Sequence, residues 1–248
     1  MYEPKTEQVL PGGIPESKLS DALHPLPDRA SLNDAEKAAF DRVMERSKRF
    51  FHSIPANKDK EYHLTAYYRI LLQSPLIAEM WSTTADLFQT AESRGTFSSR
   101  ARDMVQVALV PVLKEQLDRM PPNPIVPLAY AIESGITPNT IKAIWDGLLD
   151  ELSPDDRLLA EYVQATARGM LEPRHFERLV AFMGIKAAVE YTSFISYKIG
   201  LFRNIQALHG IEGAEMDDSI AQEFLQAHLE GKVASSDYGG GVSWVSKA

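Results

Sequence analysis

The chain is 248 residues long, contains no cysteine, and carries a formal charge of −8 from 26 Lys and Arg against 34 Asp and Glu. The absence of cysteine excludes disulfides, thiolate catalysis, thiol peroxidase cycles and Cys-based zinc or iron–sulfur sites, and an acidic chain without a basic cluster argues against nucleic acid as a partner. The length suffices to bury a hydrophobic interior, no apolar run approaches the ~20 residues that cross a bilayer, and MYEPKTEQVLPGG has no basic-then-apolar leader, so the expectation is a soluble cytoplasmic protein with no membrane partner.

Residues 1–30 are rich in Pro, Gly and charge and read as an irregular N-terminal arm. Ser31-Leu-Asn33 then offers caps for a helix in which Ala38, Phe40, Val43 and Met44 recur at helical spacing. A second helical pattern runs from about Tyr62 to Gln73, breaks at Ser74-Pro75 and resumes through LIAEMWSTTADLFQTA. Ser98 caps the next helix, whose apolar face is Ala101, Val105, Ala108, Leu109 and Val112. Pro121, Pro122, Pro124 and Pro127 crowd the following stretch, which predicts a loop or a kinked helix start. Thr137-Pro138 and Ser153-Pro154 each set a capping residue before a first-turn proline. Gly147, Gly169 and Gly184 fall at helix ends, residues 185–209 form a long apolar-periodic stretch, and another helix is expected over 217–230. No stretch alternates like a strand, so the fold class is all-α. The organisation is an arm over 1–30, one helical domain over 31–232, and a glycine-rich tail over 233–248 in which Trp244 either hangs free or docks in a groove.

No histidine pair has zinc-helix or di-iron spacing, and GGG near the end neither follows a strand nor precedes a helix, so no metal and no nucleotide cofactor is expected. His63 forms an i, i+4 pair with Tyr67 on one helical face beside Ile70 and Leu71; a core histidine bonded to a carbonyl and a catalytic one both fit. His175, beside Arg174 and Glu177 at a helix start, reads as solvent-facing. Arg203 is flanked by Ile199, Leu201, Phe202 and Ile205, which predicts a buried guanidinium whose anion is either a substrate carboxylate or an internal Glu or Asp. Tyr197, Tyr191 and Tyr130 are phenolic donors in the same part of the sequence, each also suited to packing. Glu115, just before the Pro-rich stretch, is the carboxylate candidate, and Asp103 of Arg102-Asp103 reads as structural.

Four stretches, SSRARDMVQVALV, VPLAYAIESGITPNTIKAIWDGL, LSPDDRLLAEYVQATARG and YKIGLFRNIQAL, follow one another between Phe97 and Leu208, and YYRILLQSP precedes them. In that order they resemble the carboxymuconolactone decarboxylase and alkylhydroperoxidase D-like superfamily over about residues 62–210. Family members carry a Cys and one or two His just before a helix ending in Glu-x-Gly-[Leu/Ile]-Thr. Here Met120 stands near the Cys position, and Val126 and Pro127 stand where histidines would be. The resemblance implies an alkylhydroperoxidase D-like helical fold, here with an N-terminal helical extension, assembled as a dimer, trimer or hexamer. It further implies a cofactor-independent lyase or isomerase, decarboxylase- or dehydratase-like, acting on a small oxygenated carboxylate, lactone or polyketide-like molecule. In such a site Arg203, with Tyr67 and Tyr130, would bind substrate, while His63, Tyr197 or Glu115 would move the proton. A catalytically silent oligomeric binding or assembly protein of the same fold is the alternative, and it accounts directly for the missing Cys and His.

Overall fold

The computed structural model describes residues 25–53, 61–62, 64, 66–117, 125–208 and 225–231, and these are helical with no strand among them. The helices are α1 (Asp34–Ser53), α2 (Ala66–Leu71), α3 (Pro75–Gln89), α4 (Ser99–Leu117), α5 (Ile125–Glu133), α6 (Pro138–Trp145), α7 (Pro154–Arg168), α8 (Pro173–Met183) and α9 (Ile185–Ala207). Short 3₁₀ turns lie at Arg29–Ser31 and Leu149–Glu151. Of the helix expected over 217–230, residues 225–229 are helical and 217–224 lie outside the described residues. The arm up to residue 24, Trp244 and prolines 121, 122 and 124 also lie outside them.

The chain forms two compact units. The smaller takes in the described residues of 1–53, 57–84 and 203–215. In it, Asn33 caps α1 reciprocally with Glu36: the Glu36 amide donates to Asn33 Oδ1 at 3.0 Å and the Asn33 amide to Glu36 Oε2 at 3.1 Å. Ala39, Phe40 and Val43 then bury the inner face of α1. Arg42 lays two nitrogens on the Glu79 carboxylate, and Arg46 donates to Ser82 Oγ at 2.8 Å, tying α1 to α3.

The larger unit, which takes in the described residues of 85–202 and 216–248, holds the core. Its centre is α4, which packs against α5, α6 and most extensively α7. Met104, Val105, Ala108, Leu109, Val112 and Leu113 are buried on it, each of the larger side chains contributing about 1.5–3 kcal/mol of hydrophobic stabilisation. Pro111 sits inside this helix and has no N–H to give the carbonyl four residues back. The Trp145 indole N–H donates to that orphaned Val107 carbonyl at 3.2 Å, so α6 repairs the break in α4.

The sequence caps are realised: Thr140 N–H bonds Thr137 Oγ1 at 3.1 Å and Asp156 N–H bonds Ser153 Oγ at 3.2 Å. Gly135, the glycine of the Glu-x-Gly stretch, has φ +90°, where any side chain would be strained, and its carbonyl accepts from Arg100. Arg100 also reaches both oxygens of buried Asp156 at 2.8 Å, which joins the start of α4 to the α5–α6 turn and the first turn of α7.

Candidate active site

A partly buried polar cluster around Asp103 interrupts the apolar helices of the larger unit. Asp103 on α4 is 1 % exposed, and its neighbour Arg102 lays Nε and an Nη on its two oxygens at 3.0 and 3.2 Å. One turn further along, Gln106 turns its side-chain oxygen to the Lys198 ammonium of α9, 3.2 Å away. The Lys198 Nζ also stands 5.6 Å from the centre of the Phe194 ring. Desolvation is the main influence on this amine and favours its neutral form; Asp103 opposes that and Arg102 adds to it. The result is a lysine brought down from 10.5 to about 8. At pH 7 roughly a tenth of it is neutral, so it can hold a negative charge and also give up a proton near physiological pH. Tyr130 on α5 joins the cluster electrostatically: burial first, then the Glu133 carboxylate, raise its phenol, with Arg102 and Asp103 acting in opposite senses.

The residues selected from the sequence are dispersed. Tyr130 lies at this cluster, whereas Tyr197, one residue from Lys198 but about 100° round the helix, is half-buried with its ring 5.6 Å from Phe88. Glu115 is exposed at the end of α4 and pairs with Arg168 of α7 at 3.1 Å. Tyr67 is buried in the smaller unit, where its oxygen accepts from Asn204 at 3.3 Å and burial raises its phenol, fixing it as neutral. His63 lies outside the described residues. Tyr191 is fully buried, and its hydroxyl has no partner among the described residues.

The expected burial of Arg203 is corrected: its side chain is exposed. Leu201, Phe202 and Ile205 are its neighbours in sequence but not on the helix, because each residue turns about 100° from the last; of the four only Ile199 shares its face. Phe202 takes the inward position, which leaves Arg203 facing outward.

Lys198 was legible in principle. Phe194, Lys198 and Phe202 recur at four-residue intervals, and Phe194 and Phe202 are buried, so a lysine stands in the apolar stripe of α9. Among the described residues no group of three His, Cys, Asp or Glu side chains is placed to hold a metal ion, and no helix is long and apolar enough to cross a membrane. No protein-family model, curated protein or solved structure matches the chain.

Proposed function

We propose that the chain is a cofactor-independent lyase or isomerase acting on a small oxygenated carboxylate, lactone or polyketide-like molecule, with Lys198 as the group that handles charge and proton. The observation that carries this reading is the Lys198 amine, brought to about 8 beside Gln106 and the Arg102–Asp103 pair. Loss of CO2 next to a carbonyl leaves its electron pair on an enolate, and that charge needs a cation and then an acid. A lysine ammonium that titrates near 8 supplies both in sequence: it stabilises the enolate as a cation and then donates its proton to carbon. Gln106 holds the ammonium in place, and against its desolvation the Asp103 carboxylate favours the charged form while Arg102 disfavours it. Tyr130 is the second donor. The alkylhydroperoxidase D-like fold and a homo-oligomeric state belong to the same reading.

The test is a turnover screen of β-keto acids, phenolic acids and lactones with metal-free protein, following CO2 release and ultraviolet absorbance. Turnover of a panel member is expected, with thermal stabilisation of the protein by that compound. Folded protein that neither turns over nor is stabilised by any member defeats the reading and leaves the silent binding protein in its place.

A further inference from the structure

A second feature of the larger unit uses none of the residues of the Lys198 cluster. An open groove of about 690 Å³ lies along α7 and α8, lined by Arg157, Arg168, Arg174 and Arg178 with Gln164 and His175. Four guanidiniums on one groove stand out in a chain whose formal charge is −8.

These arginines are paired differently from four of the arginines elsewhere in the molecule. Arg29, Arg42, Arg94 and Arg102 each place two nitrogens on the two oxygens of a single carboxylate. That fork-on-fork geometry is how arginine satisfies itself structurally. In the groove each contact has one prong. Arg157 touches Glu161 through Nε and Asp150 through an Nη, both at 2.6 Å, while Arg178 reaches Glu161 at 3.4 Å. Arg174 touches Glu172 at 2.7 Å, and Arg168 touches Glu115 at 3.1 Å and Gln164 at 3.2 Å. Each guanidinium has five N–H donors, so most of the donors on the groove are left over. Of the acidic partners only Glu161 lines the groove; Asp150, Glu115 and Glu172 are exposed, and ion pairs in water are weak enough for an incoming anion to displace.

Spacing sets the kind of anion. Arg157 and Arg168 are eleven residues apart on α7, about 16 Å along the axis at 1.5 Å per residue, too far for one tetrahedral ion to touch both. Arg174 and Arg178 are a helical turn apart on α8. A groove of this volume accommodates a small organic molecule. We infer that the α7–α8 groove binds a small organic polyanion carrying two or more phosphoryl or carboxylate groups, each received by the remaining N–H donors of a groove arginine.

Isothermal titration calorimetry of the full chain with tripolyphosphate and with citrate tests this. One saturable site per chain is expected for at least one probe, and the preferred probe tells phosphoryl from carboxylate. Arg174→Gln with Arg178→Gln should weaken binding at least tenfold with an unchanged circular dichroism spectrum, and Arg178→Lys should weaken it severalfold because charge stays and the fork is lost. Arg29→Gln, an exposed arginine of the smaller unit, should bind as the unaltered protein does. The inference is overturned if neither probe saturates a site, if the groove variants bind normally, or if Arg29→Gln weakens binding as much as they do.

Discussion

Replacing Lys198 by Met should stabilise the protein at neutral pH, and the gain should vanish in alkali. The folded amine titrates near 8 and the unfolded one near 10.5, so below pH 8 both states are protonated and the folded state carries the full cost of a desolvated ammonium. Between the two values the unfolded state binds more protons, so the stability of the unaltered protein rises with pH there; above 10.5 both states are neutral and the cost is gone. A difference of about 2.5 units at 1.36 kcal/mol per unit gives about 3.4 kcal/mol, and because Lys198 is partly open to solvent the expected effect is at most about 3 kcal/mol. Urea unfolding of both proteins at pH 7, 9 and 11 is the assay; all other titrating groups are common to both, so they cancel in the difference. The stability advantage of Lys198→Met should shrink by up to about 3 kcal/mol from pH 7 to 11. A difference that stays flat over that range means that Lys198 titrates like a lysine in water and that its surroundings do not desolvate it.

Three other substitutions follow from the same structure. Asp103→Asn removes the carboxylate that supports the ammonium, so the Lys198 titration should move below 8 in a lysine NMR titration, and the part-buried Arg102 left without its partner should cost on the order of 2–3 kcal/mol in urea unfolding. Trp145→Phe leaves the Val107 carbonyl unsatisfied beside Pro111 and should cost about 1–3 kcal/mol by the same measurement. Arg203→Lys, at an exposed position, should change stability by less than about 0.5 kcal/mol and leave turnover unaltered; a sharp fall in turnover would restore Arg203 to the site.

Where local chemistry decides an element, the sequence shows it. Thr137-Pro138 and Ser153-Pro154 start helices because hydroxyl and pyrrolidine act within one turn, and the Ser74-Pro75 break separates α2 from α3 for the same reason. His175 was read as solvent-facing, yet it is half-buried and its Nδ1 accepts from the Glu172 amide at 2.9 Å, capping α8 in a role usually held by Glu or Gln. The site was harder to read because it depends on which face a residue occupies. Arg203 has apolar neighbours along the chain yet is exposed, whereas Lys198 has phenylalanines four residues to either side and shares their stripe. The contacts that define the cluster, Lys198 to Gln106 across 92 residues, are tertiary and have no local signature.

The role of Lys198 is tested most directly by the initial rate of the unaltered protein and of Lys198→Met, side by side at pH 7.5, on the panel compound turned over fastest. The general acid contribution of a positioned side chain is about 10²–10⁴-fold, so the folded Lys198→Met protein should be at least a hundredfold slower. Equal rates from the two proteins would contradict the assignment of Lys198 to the chemistry.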